Sequence, residues 1–203
     1  DDALVDEMFA LYARHYDAAS NQRFRSDLED KKTSLLLRDQ DQRVAGFTLL
    51  KEMHVEGPVA RRCIFSGDTV VDPAYWGRND LIMAFLQECG RIASRDRTQP
   101  LYWFVIIKGP RTWRILTTCF KSFFPGLENQ ADEALQPIAH ALGEMEFGDR
   151  YDPATGTIWR GPSPGHLNRA LANIPPRHHR LPPTRTIPLP HPVLPHGTAP
   201  VGP

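Results

Sequence analysis

The sequence predicts one mixed α/β domain over residues 1–172, a mostly antiparallel sheet flanked by helices, followed by an irregular tail over 173–203. Three observations predict it. Helical and strand periodicities succeed one another in the order helix, helix, three strands, helix, strand, helix. The stretch Cys63 to Ser94 reads as a strand, a tight turn and a helix. Composition then changes after Ile174, where ten of the 19 prolines fall within residues 175–203 and no acidic residue occurs.

The 203 residues, 41% of them hydrophobic, are enough for one domain that buries about 70% of its unfolded surface. The formal charge is zero, but all 24 acids lie at or before Asp152, where only 19 of the 24 Lys and Arg lie. Residues 1–152 therefore carry a net charge of −5, which excludes the basic footprint of a nucleic-acid-binding domain. Cys63, Cys89 and Cys119 are odd in number, far apart and set in apolar runs, as expected of buried free thiols in a reducing compartment. No run of 18 apolar residues and no charged leader with an apolar core is present. The expectation is a cytoplasmic protein with no membrane partner. Because the chain begins Asp1-Asp2 rather than with Met, an upstream strand is left open.

Residues 2–19 place Leu4, Met8, Leu11, Tyr12, His15 and Tyr16 on one stripe, which predicts an amphipathic helix with His15 a core group. Ser20-Asn21 ends it, and a short helix follows over 22–32. Leu35 to Leu37 and Val44 to Met53 read as strands joined by the polar turn Asp39 to Gln42. Gly57-Pro58 turns the chain back through Val59 to Val71, completing an antiparallel meander. His54 is expected to face solvent. After the turn, the helix from Leu81 carries the chain to Leu101–Ile107, an unbroken apolar run that suits a strand covered on both faces. A helix between two strands predicts that this one lies parallel to the strand ending at Val71.

Pro110 opens a further helix whose inward residues are Trp113, Leu116, Phe120 and Phe123 or Phe124. A weaker helix over 132–146 is interrupted by Pro137, and a last strand is possible at Thr157 to Arg160. The tail mixes prolines with His178, His179, His191 and His196. It reads as a disordered, partly polyproline segment whose histidines lack a defined metal-ligand set. No metal site is expected.

The turn after Val71 carries the chemistry. Amides at Gly77, Arg78, Asn79 and Asp80 are the unsatisfied donors of a helix start, where the macrodipole favours an anion such as a pyrophosphate.

With the elements in this order, Val71, Pro73, Tyr75, Gly77 and the helix from Leu81 give residues 2–125 a resemblance to the GCN5-related N-acetyltransferase superfamily. In that family a strand runs through Val-x-Pro-x-Tyr into a pyrophosphate loop of the form Gln/Arg-x-x-Gly-x-Gly/Ala. Here Trp76 stands at the loop's first position, Asn79 replaces its central glycine and Leu81 its last residue. Asn79 tolerates a left-handed backbone; Leu81 is bulkier than the glycine it replaces.

The resemblance implies a splayed parallel strand pair at the centre of the sheet and an acyltransferase using acetyl-CoA or a longer acyl-CoA, or an acyl-carrier-protein thioester. The acceptor would be an amine. Donor contacts fall to Val70, Val71 and the stretch Trp76, Gly77, Arg78, Asn79, Asp80 and Leu81. Lys108 and Arg111, with Arg114 and Lys121, are cations for its phosphates, or for the acidic surface of a carrier protein, or simply a solvated helix face. Tyr75 and Trp76 are candidates for an acyl-pocket wall, the commoner reading of such aromatics being core. Asp68 is the expected general base, the other reading being a turn cap or a partner of Arg61 or Arg62. The family's helix tyrosine, which protonates the leaving thiolate, has no counterpart at Cys119 to Phe124. Tyr102 is the catalytic candidate taken with Asp68, and Tyr75, Cys119 and water are alternatives for the acid. Ser66, without a nucleophile elbow, reads as a strand hydroxyl. The competing function is a catalytically silent module that binds an acylated carrier protein or another partner.

Overall fold

The computed structural model describes residues 2–56, 61–107, 110–125 and 133–159. The expected tail and Lys108 lie outside them, and of Arg111 only the backbone is described.

Helix α1 (Asp2–His15) buries Met8, Leu11 and His15, the stripe its spacing predicts, but stops four residues earlier than expected. Ser20 belongs to the next helix, α2 (Asn21–Glu29): its hydroxyl accepts from the Arg23 amide as an N-cap. Strands β1 (Thr33–Arg38), β2 (Val44–Val55) and β3 (Arg61–Val71) form the antiparallel meander. Helix α3 (Asp80–Arg95) crosses to β4 (Leu101–Val105), which pairs with β3 in parallel. Helices α4 (Pro110–Cys119) and α5 (Gln136–Phe147) follow, then a small separate ribbon of β5 (Tyr151–Asp152) and β6 (Thr157–Ile158). Pro137 occupies the first turn of α5, where its missing N–H costs nothing, so it opens that helix rather than interrupting it.

The mixed, mostly antiparallel sheet flanked by helices is therefore present, in the order β1-β2-β3-β4. The parallel pair sits at one side of this sheet and not at its centre, because among the described residues no strand adds to β4.

Alternation along the strands divides the core in two. On one face Phe47, Leu49 and Val70 pack on α1 and α2 through Met8, Leu11 and Phe24. Further along that face Met53, Cys63 and Phe65 meet Leu142 of α5. On the other face Leu50 and Ile64 meet Phe85 and Ile92 of α3, with Trp103 between Phe85 and Phe120 at ring distances of 5.0 and 5.1 Å. Buried Arg62 donates to the carbonyls of Ile92 and Asp96 at the end of α3, which ties that helix to the start of β3.

Among the described residues no helix is long and apolar enough to cross a membrane.

Candidate functional site

The parallel ladder between β3 and β4 lasts five residues, from Arg62 opposite Leu101 to Ser66 opposite Val105. β3 runs on to Val71 while β4 ends at Val105, two residues short of the expected Ile107. The cause lies on the far side of β3. There Phe47 pairs with Val70 and Leu49 with Gly67, so the single residue Thr48 opposes two, Asp68 and Thr69. This is a β-bulge, with Asp68 held in the left-handed region at φ +44°. A bulge bends and twists its strand, and this one begins two residues after the last β4 pair. The two strands part there.

A cleft of about 560 Å³ opens at the divergence, within the range of small-molecule sites. Its walls come from both faces of the sheet: Tyr12, Tyr16, Phe65 and Phe147 on one side, Ile82, Phe85 and Trp103 on the other. Thr112, Ile115 and Cys119, at helical spacing on α4, complete it.

The groups at the divergence are tightly placed. Asp68 lines the cleft with its carboxylate 3.8 Å from Lys31 Nζ, in place of the expected Arg61 or Arg62. The Lys31 side chain is only 7% exposed; its ammonium also donates to the Asp27 carbonyl and lies 5.9 Å from the Phe65 ring centre. Its stem crosses Gly67 so closely that a Cβ there would sit 3.0 Å from Lys31 Cε. Ser66 accepts the Trp103 indole N–H at 2.8 Å, a strand hydroxyl as expected. Glu146, also in the wall, is paired with Lys51 at 2.8 Å.

The turn after β3 is a short 3-10 segment, Pro73–Tyr75, capped by the Asp72 carboxylate on the Ala74 amide. Trp76 is swung back, its indole N–H donating to the Val71 carbonyl at 2.7 Å. Neither Trp76 nor Tyr75 is a cleft wall: this bond turns the indole toward the strand end, and the Tyr75 ring lies 5.9 Å from the Arg78 guanidinium. The left-handed residue is Gly77, at φ +89°, and not Asn79, which sits at φ −102° and ψ 3°. Asn79 makes no side-chain cap for α3, whose first intrahelical bond runs from the Met83 amide to the Asn79 carbonyl. The amides of Leu81 and Ile82 precede that ladder, and both residues line the cleft. Leu81 forms part of the wall and leaves the hollow open. Arg78 lines it too, its guanidinium held 2.8 Å from the Asp80 carboxylate, which that charge keeps below the usual carboxylate range.

Other expectations separate. Val71 lines the cleft, whereas the Val70 side chain points into the core against α1 and α2. Gly77 and Asp80 lie beside the cleft rather than in its wall. Tyr102 is removed from it: opposite Cys63, three residues before the strand ends, it packs with Met53 and Leu142 on the α5 side. Alternation turns its ring away from α4. Of the expected acids only Cys119 reaches the cleft, and burial raises its thiol above the ordinary value. His54 is exposed, and buried His15 sits between the carbonyls of Leu11 and Val71 at 2.9 and 3.0 Å.

Lys31, Arg23, Thr112, Ile115 and Arg150 are cleft residues that sequence reasoning passed over. Nothing in the order Asp30-Lys31-Lys32 distinguishes the inward lysine from its neighbour. The spacing of Thr112, Ile115 and Cys119 on one helical face was the usable signal. Among the described residues no group of three or more His, Cys, Asp or Glu is placed to hold a metal ion.

No family model matches the sequence, and no curated protein matches it. Solved structures similar to parts of the chain include an acetyltransferase from Trypanosoma brucei, at 14% identity over 63% of this chain and 92% of that one, TM-score 0.46. A second is the GNAT family N-acetyltransferase YhbS from Escherichia coli in complex with CoA, at 16% identity over 63% and 73%, TM-score 0.42. A third is glucosamine-6-phosphate N-acetyltransferase from Arabidopsis thaliana, at 9% identity over 61% and 92%, TM-score 0.41.

Proposed function

We propose that this chain is a divergent GCN5-related N-acetyltransferase that moves an acyl group from acyl-CoA to an amine. The observation that carries this reading is the cleft through the strand divergence, walled from both sheet faces, with the start of α3 at its edge. A thioester threaded between β3 and β4 would present its carbonyl to a second molecule arriving from the α1–α2 side.

The pyrophosphate would rest on the amides of Leu81 and Ile82, aided by the helix dipole and by Arg78. Beyond Ser66, the β3 backbone facing away from β2 has no strand partner among the described residues, so it is available to hydrogen-bond the pantetheine amides. In the reaction the amine nitrogen attacks the thioester carbonyl, Asp68 takes the ammonium proton, and the carbon–sulfur bond breaks as the tetrahedral intermediate collapses. The departing thiolate takes its proton from Cys119, which solvent then reprotonates. Burial holds the Cys119 thiol in the protonated form that a proton donor needs.

Thermal unfolding with acetyl-CoA, a longer acyl-CoA and free CoA tests the reading. Stabilisation should rise with ligand concentration, reaching about 2.7 kcal/mol at a hundred times Kd. No shift with any of the three at millimolar concentration would overturn CoA as donor. An acyl-carrier-protein thioester, docked through its phosphopantetheine, is the donor to assay in that event.

A further inference from the structure

We infer that the acceptor is an amine bearing its own anionic group, a carboxylate or a phosphate, and that Arg23 and Arg150 receive that group at the mouth of the cleft. The inference rests on the acyl-transfer reading of the same cleft and specifies its acceptor.

The charges of the wall pair off unequally. Lys31 faces Asp68, Glu146 is taken by Lys51, and Arg78 is taken by Asp80. Arg23 on α2 and Arg150, in the turn after α5, line the same cleft as exposed residues, and among the described residues no ion pair joins either to a carboxylate. Asp27, one helical turn beyond Arg23, is the remaining acid of the wall. Two unpaired guanidiniums in one cleft are notable in a chain whose first 152 residues carry a net −5.

Both lie on the sheet face from which the acceptor is proposed to arrive. α2 and α5 cover the same sheet face, and Lys51 bridges them by reaching Asp30 at the end of α2 (2.7 Å) and Glu146 of α5 (2.8 Å). Arg150 has its guanidinium 5.8 Å from the Phe147 ring centre, and Phe147 is itself a cleft wall. A guanidinium fork matches a carboxylate or phosphate bidentately, whereas a plain polyamine would meet repulsion at this mouth. With the anion held there, the amine of a short acceptor is directed inward to Asp68.

The test uses acetyl-CoA at low ionic strength with acceptors matched in size: β-alanine and O-phosphoethanolamine against propylamine and ethanolamine. The anionic pair should show a kcat/KM at least about tenfold higher, because a guanidinium hydrogen-bonds an anion more strongly than it does a neutral acceptor. In the double variant R23Q/R150Q, KM for the anionic pair should rise about tenfold and the preference fall toward one. Equal kcat/KM for charged and neutral acceptors in the native protein would overturn the inference while leaving acyl transfer standing. Thermal unfolding separates the two failures. If acyl-CoA gives no shift but O-phosphoethanolamine stabilises the native protein and not the variant, the anion seat is supported and acyl-CoA is lost as the donor. No difference between O-phosphoethanolamine and ethanolamine in both assays would overturn the seat.

Discussion

Lys31 Nζ stands 3.8 Å from the Asp68 carboxylate, two residues after β3 makes its last pair with β4. Gly67 leaves room for the lysine stem to cross the strand, and the bulge turns Asp68 into the cleft beside it. The proposed base is thus held by a bulge of the strand and one buried cation.

Asp68→Asn tests that assignment cleanly, because Asn tolerates the left-handed backbone at φ +44° that a β-branched residue resists. Turnover should fall by about a hundredfold or more, with stabilisation by acyl-CoA kept. Steady-state kinetics beside thermal unfolding reads both, and unchanged turnover would remove Asp68 from the mechanism.

Cys119→Ala should lower kcat about tenfold to a hundredfold and leave KM for the acceptor in place. Because burial raises this thiol, it remains protonated past the pH at which an ordinary thiol ionises. The alkaline fall in kcat should therefore begin above the ordinary thiol range in the native protein and disappear in the variant. An identical pH profile for the two proteins would count against Cys119 as the acid.

Arg62→Met keeps much of the volume but strips donors from the carbonyls of Ile92 and Asp96 at the end of α3. The loss should be about 3 kcal/mol in urea unfolding, as expected for charge-assisted bonds to buried acceptors. A cost under about 0.5 kcal/mol would mean that water replaces both bonds.

Gly143→Ala should destabilise α5 by about 1–3 kcal/mol, since the new methyl would lie 2.6 Å from the Tyr151 ring. That ring is held by a 2.6 Å hydrogen bond between Tyr151 Oη and His140 Nδ1. With Tyr151→Ala already present, the same change should become favourable by up to about 1 kcal/mol, because alanine is the better helix former. A double-mutant cycle in denaturant measures the reversal of sign.

Burial pushes the Cys63 and Cys89 thiols up to about 12, against 9.0 for an unperturbed thiol. Above pH 9 the unfolded chain therefore loses protons that the folded chain keeps, so stability is full below that pH and falls as pH rises toward 12. Urea midpoints between pH 8 and 11 should decline, and Cys63→Ala should flatten the decline even though it lowers stability throughout. A slope that Cys63→Ala leaves unchanged would place the alkaline loss in other groups.

Much of the architecture is legible without coordinates, because period and punctuation are local. The stripe Met8-Leu11-His15, the polar turn at Asp39 to Gln42, and Pro110 at the first turn of α4 each mark an element through the φ/ψ and spacing they demand. The parallel placement of β4 follows from the helix that precedes it. The site is less legible. Val71, Arg78, Asn79 and Leu81 were identifiable because a turn motif fixes them relative to a helix start. Trp76 and Tyr102 were not separable from true wall residues, since an aromatic side chain reads alike whether it faces a cleft or a core.

By itself the sequence determined the order of elements, the apolar faces they bury, and the helix start that follows Val71, because these depend on neighbours within a few residues. Tertiary structure decided where the strands part. The bulge exists only when Thr48 meets Asp68 and Thr69 across the ladder, and Lys31 becomes a cleft residue only when the segment after α2 lies over Gly67. Register and long-range approach set these relations, and no residue's own chemistry announces them.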